Sequence, residues 1–235
     1  MIINQKQFMT GLIMLIFFFI VFALIMSPVL NGKTVIQTAD DLFNSLTKGS
    51  TYYIPKAQKS ATGFDGKTFD VSLTLNSNEE VDKIGKVLGM AGAMVEAGEN
   101  KVNISGDLGK MTRFALADAD AVFKGENAGL TGRYGFADKE ALYYWWLVFK
   151  ELNNKYKLEG KSAEMSFVNT VQTKTLEVAY NFEGIQADKV ADRAGITTFM
   201  LVFYVAYTVW YGFAIMFIME GLGIIATAHG EKVEA

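Results

Sequence analysis

Two stretches decide how this chain is built: residues 8–30, FMTGLIMLIFFFIVFALIMSPVL, and residues 195–219, GITTFMLVFYVAYTVWYGFAIMFIM. No Asp, Glu, Lys or Arg occurs from Gln7 to Gly32, nor from Ala194 to Met219. As a helix rising about 1.5 Å per residue, either charge-free run is roughly 39 Å long, against roughly 30 Å for the hydrocarbon core of a bilayer. Both are long enough to span.

The first run is almost wholly Leu, Ile, Phe, Met and Val, which suits lipid on every side. A cleaved signal peptide also starts with a short, weakly basic segment. Here the apolar stretch outruns the usual signal core, and Ser27-Pro28-Val29-Leu30 stands where a small-x-small cleavage pair would be. The reading is an uncleaved anchor over 8–30, kinked or ended near Pro28.

The second run differs in kind. Tyr204, Tyr207 and Tyr211, at i, i+3 and i+7 with Thr208 beside them, put three phenols on one helix face at midplane depth. Belt aromatics belong at the interfaces. A phenol in hydrocarbon needs a hydrogen-bond partner, and the first span offers only Thr10 and Ser27, both near its ends. The expectation is that Tyr204, Tyr207, Thr208 and Tyr211 face another protein; the alternative is that each hydroxyl reaches a local carbonyl or threonine.

Past Met219 the apolar character continues to His229, interrupted by Glu220. Ala194 to Gly230 would be roughly 55 Å of helix, too long to stand upright in one bilayer, so 196–226 reads as a span with an interfacial extension. Glu220 then reads as an interfacial carboxylate, with an intramembrane proton or cation site as the sharper alternative.

Two spans put both tails, 1–7 and 227–235, on one side. Their charge bias is weak, with Lys6 in one and Lys232 among acids in the other. Short tails inside and a long translocated loop is the usual arrangement. The expectation is a bacterial cytoplasmic (inner) membrane protein with both termini cytoplasmic and a periplasmic domain over 31–195.

Within that domain the pattern is mostly helical α+β with a small sheet. A helix begins at Thr38 and ends at Gly49, and the first span is expected to run nearly unbroken into it; Thr51 to Gly66 reads as a loop. Phe69, Val71, Leu73 and Leu75 alternate as a strand. Ser77-Asn-Glu-Glu80 is a capping box opening a helix with Val81, Ile84, Leu88, Ala91 and Val95 on its buried face, with Glu79–Lys83 and Asp82–Lys86 as surface pairs. Gly85, Gly89 and Gly92 on that helix suggest close backbone contact with a neighbour. Asn100 to Ser105 is a second strand, completing a strand–helix–strand unit.

Asp107 caps a helix with Leu108, Met111, Ala115 and Val122 inward. Asp118 and Asp120 on it diverge by about 200°, so they cannot converge on one metal, and both read as a solvated acidic face. Gly125 to Gly135 reads as a loop. A helix from Asp138 to about Leu158 carries Tyr143-Tyr144-Trp145-Trp146, which one face cannot bury entirely. Part of that run is expected to be exposed as an interface, against a wide core contact between two helices. Residues 162–183 fit helix or strand, and their length without a turn residue favours helix.

The 235 residues carry 22 basic and 25 acidic side chains, a net charge of −3, no cysteine and one histidine. Without cysteine there are no disulfides, thiolate metal sites or cysteine nucleophiles. The charge balance argues against nucleic acid as the main partner. No phosphate loop, zinc-protease or serine-hydrolase motif occurs, so no catalytic residue, cofactor or metal is expected. The function expected is a non-catalytic accessory or scaffolding subunit of a larger membrane complex, partnered by other integral membrane subunits or a second copy. The alternatives are a periplasmic sensor or ligand-binding ectodomain, and an ion or proton path through Glu220.

Overall fold

The computed structural model describes residues 2–126 and 128–224; His229 and the tail 227–235 lie outside the described residues. The chain is mostly helical with one small antiparallel sheet and two helices long and apolar enough to cross a membrane. It divides into two compact units, one of residues 1–43 with 188–235 and one of residues 44–187.

In the first unit, α1 spans Gln5–Met26 and α10 spans Val190–Gly221. Asn4 caps α1 by accepting from the Gln7 N–H at 3.2 Å. Ser27 and Pro28 end it, because a proline next in line withdraws the donor and biases its predecessor to extended backbone. The run into the next helix is therefore broken: Asn31 and Gly32 take positive φ, and Leu30 bridges to Lys33. α2 starts earlier than read, at Val35, and runs to Ser50. Thr34 and Gln37 form a reciprocal capping box, side chain to backbone in both directions at 3.1 and 2.9 Å, which moves the start upstream of Thr38.

The second unit holds the core. Its sheet comprises β1 (Thr68–Thr74), β2 (Met94–Gly98) and β3 (Lys101–Asp107) in the order β1-β3-β2, antiparallel throughout. Phe69, Val71 and Leu73 alternate inward as the sequence predicts, opposite Val102 and Ile104. α4 (Asn78–Met90) is capped by Ser77, whose side chain accepts from the Glu80 N–H. It stops before Val95, which instead lies in β2, an unpredicted strand. Gly92 at φ 76° turns the chain there, a conformation that costs glycine little. Gly85, Gly89 and Gly92 mark no close crossing: nothing lies within 4 Å of a Cβ built at Gly89 or Gly92, and one at Gly85 meets Val95 at 3.6 Å. Lys86 reaches the Tyr134 carbonyl rather than Asp82, whereas the Glu79–Lys83 pair forms at 2.9 Å.

Helices cover the inner face of the sheet. α5 (Leu108–Lys124) is capped by Asp107 as predicted and ends on Gly125 at φ 79°. α7 (Asp138–Leu158) also spans the predicted residues. Two segments read as loops contain short helices, α3 (Ile54–Ala61) with a proline in its first turn and α6 (Ala128–Tyr134) between left-handed Gly125 and Gly135. Each buries apolar residues that a loop reading overlooks: Ile54, Ala57 and Ala61 in one, Leu130 and Tyr134 in the other. Residues 162–183 are helical: α8 (Ser162–Val171), one π turn (Gln172–Leu176) and α9 (Glu177–Asn181). The π turn shifts the face by one residue, so Val171 and Leu176 are both buried, and this blurred the helical period.

Candidate functional site

The residues singled out in the second apolar run lie on α10, which packs along α1. Small residues set the contact. A Cβ at Gly11 would come within 2.7 Å of the Ala214 carbonyl oxygen and the Ile218 nitrogen, and one at Gly221 within 2.6 Å of Phe8. Backbones that close require glycine, the packing logic of helices that lack a hydrophobic drive to associate. Polar groups close the same end. The Ile3 and Asn4 N–H groups donate to the Gly221 carbonyl at 2.8 and 3.0 Å, and Gln7 Nε2 donates to Glu220 Oε2 at 2.8 Å. Glu220 is half-buried beside the start of α1, its partner an uncharged amide.

Farther along the pair the tyrosine face divides. Tyr207 turns to α1: its ring stacks on Phe18 at 4.3 Å and its hydroxyl donates to the Phe18 carbonyl at 3.1 Å. Thr208 donates back to the Tyr204 carbonyl at 2.8 Å, the local satisfaction open to a helical threonine. Tyr211 lays its ring against Phe18 at 5.1 Å yet remains 44% exposed, and Tyr204 is 68% exposed. Among the described residues neither the Tyr204 nor the Tyr211 hydroxyl has a hydrogen-bond partner. Seven residues apart, the two lie on one side of α10, flanking the seam with α1.

The aromatic run on α7 divides as well. Tyr144 and Trp145 are buried, Trp146 is half-buried and Tyr143 is 38% exposed. The Tyr144 hydroxyl donates to Glu140 at 3.0 Å, and Trp146 Nε1 donates to Glu177 at 2.8 Å. Tyr143 stacks over Trp146, leaving one exposed ring rather than an aromatic patch.

Trp145 Nε1 donates at 2.9 Å to Asp118, and this corrects the solvated-face reading of that carboxylate. Asp118 is 1% exposed and also accepts from Arg133 at 2.8 Å and from the Tyr134 hydroxyl. Burial pushes its carboxyl up, opposed first by the Tyr134 and Trp145 hydrogen bonds and then by Arg133. Burial, then the facing carboxylate, drives the Tyr134 phenol far above its ordinary value. The available signal was position: three after Ala115 and four before Val122, Asp118 sits on the core stripe of α5. Asp120 is half-buried, accepting from the Tyr52 hydroxyl at 2.6 Å and from Lys124 Nζ at 2.7 Å.

Lys48 was also missed. It is 3% exposed and donates to the Phe182 and Ile185 carbonyls at 3.0 and 2.5 Å, with its ammonium 4.9 Å from the Phe123 ring centre. Burial lowers its pKa. A lysine in the last turn of α2 resembles an ordinary dipole partner, and nothing local marks it as buried. Among the described residues no group of three or more His, Asp or Glu gathers in metal-holding geometry. No protein-family model, curated protein or solved structure matches this chain.

Proposed function

We propose that the chain is a non-catalytic accessory subunit of a larger complex in a bacterial inner membrane. α1 and α10 span the bilayer, and the unit of residues 44–187 is presented on the periplasmic side. The observation that carries this reading is the pair of exposed, unbonded phenols, Tyr204 and Tyr211, in the middle of a helix otherwise made for lipid. A hydroxyl in hydrocarbon is stabilised by a partner, and α1 supplies one to Tyr207 alone of the three tyrosines. Polar groups on another membrane subunit supply the remainder.

The apolar exterior supports the bilayer part: only 6% of the most apolar window of either helix is buried within the chain. The test is purification from native membranes in mild detergent, comparing the parent chain with a Tyr204→Phe, Tyr211→Phe double variant. The expected outcome is a defined set of co-purifying membrane proteins whose recovery falls several-fold in the variant. A monomer indifferent to both changes overturns the reading.

A further inference from the structure

The outer edge of the sheet faces a groove. The Leu75 N–H donates to the Asn100 carbonyl and the Leu108 N–H to the Lys67 carbonyl, which fixes the alternation of β1 against β3. Odd-numbered residues from Lys67 to Leu75 turn their backbone groups to β3, so Thr68, Asp70, Ser72 and Thr74 turn theirs outward. Among the described residues, the one of these outward groups with a partner is the Asp70 carbonyl, which accepts from Lys155 Nζ at 2.8 Å. One face of α7 runs beside this edge, and together they line a groove of about 380 Å³ formed by Asp70, Val71 and Ser72 on one side and Glu151, Lys155, Leu158 and their neighbours on the other.

We infer that this groove binds an extended, basic and apolar segment of a partner protein, which adds to β1 as a fourth strand. Strand addition draws its affinity from main-chain hydrogen bonds and its selectivity from side chains at alternate positions. Both halves of that requirement are on hand. Apart from the Asp70 carbonyl, the edge supplies free donors and acceptors over Thr68, Asp70, Ser72 and Thr74 among the described residues. The helix side supplies Leu158, 89% exposed, as an apolar contact, and Glu151, which makes no ion pair among the described residues. Asp70, Glu151 and Glu159 line it with one cation, Lys155, which pairs with both Asp70 and Glu159, and Glu159 also pairs at 2.8 Å with Lys161, outside the lining. Three carboxylates against two ammonium groups leave Glu151 as the surplus negative charge among the described residues, so the segment carries Lys or Arg at the position facing Glu151.

A second copy of this chain is the poorer occupant. Two β1 strands paired about a two-fold axis would bring both acidic rims together, and like charges across a strand pair destabilise it. A lysine on an edge strand is also a common guard against unwanted pairing. Lys155, reaching over from α7, takes that part here by holding the Asp70 carbonyl that an added strand's N–H would claim. The assignment extends the subunit reading without resting on it, since the groove lies wholly within residues 44–187 and the tyrosine variants leave it untouched.

The test uses the full chain in detergent micelles and a fluorescent peptide alternating Lys with Val, followed by fluorescence anisotropy. The control peptide is N-methylated on the residues whose N–H groups face β1. Saturable binding is expected, weakened about tenfold or more by N-methylation and likewise by Glu151→Lys on the protein. Ser72→Pro, which removes one outward N–H, has the same effect provided circular dichroism shows the fold retained. Absence of binding overturns the proposal, as does binding that N-methylation leaves unchanged, which would be charge attraction alone. A concentration-dependent dimer abolished by Ser72→Pro overturns it in favour of a second copy.

Discussion

Tyrosine plays opposite parts in the two units. In residues 44–187, Tyr134 and Tyr144 are buried and each phenol donates to a carboxylate, Asp118 or Glu140. On α10, Tyr204 and Tyr211 are exposed and, among the described residues, their hydroxyls have no hydrogen-bond partner. The apolar residues are inverted in the same way. Leu, Val and Phe fill the interior of one unit, while on α1 and α10 the same residue types coat the exterior. One unit has a complete buried core, while in the other α1 and α10 present an outer surface apolar enough to cross a membrane. In the proposed reading the two remaining phenols are met by a partner.

The largest expected effect breaks the complete unit at its polar centre. Asp118→Ala strands the Tyr134 hydroxyl and the Trp145 N–H without an acceptor and leaves Arg133 unpaired. It should cost about 3–5 kcal/mol, read by denaturant unfolding followed through tryptophan fluorescence. Association through α10 should survive that change. If it does not, the two units are not separable in function.

Alkaline pH tests the same burial from another side. Tyr156 is pushed up to about 12, by burial first and then by Glu164, Glu159 and Asp70. A phenol whose pKa is higher folded than unfolded contributes stability that is intact below its ordinary value near 10. That contribution is lost as pH rises through about 12. Tyrosinate absorbance should therefore show a late phase coinciding with loss of helical circular dichroism, and Tyr156→Phe should remove the part of it near pH 12, leaving that of Tyr134 and Tyr144, whose phenols burial raises further still.

On the helix pair, Gly11→Val drives a side chain into the Ala214 and Ile218 backbone and should part α1 from α10 at about 1–3 kcal/mol. Spin labels at Lys6 and Leu222 would read the separation as a longer distance. The smallest effect belongs to a cap. Asp107→Ala removes the acceptor of the Lys110 N–H and costs about 1 kcal/mol by thermal melting. The Lys110 N–H, with that of Gly66, also holds the Asp107 carboxyl below its ordinary value, so the loss should shrink as pH falls through the carboxylate range.

Regular patterns were legible without coordinates. The charge-free runs, the alternation from Phe69 to Leu75 and the caps at Ser77 and Asp107 are local, and local physics sets them. Long-range contacts were not. Asp118 and Lys48 are charged residues whose partners lie far off in the chain or on carbonyls, so composition sends both to the surface. β2 was hidden because Val95 also fits the helical stripe of α4 until Gly92 turns the chain. The tyrosine face was seen as one unit, and its division between Tyr207 and its neighbours depends on where Phe18 falls on α1, which spacing within α10 cannot specify.

In the proposed complex Tyr204 and Tyr211 face protein, Tyr207 and the glycine contacts face α1, and the remaining exposed surface of α10 faces lipid. A photo-crosslinking phenylalanine analogue placed singly at Tyr204, Tyr211, Val205 and Val209 in native membranes tests this arrangement directly. Discrete protein adducts are expected from positions 204 and 211, and lipid adducts alone from 205 and 209. Lipid adducts alone from all four positions would contradict it.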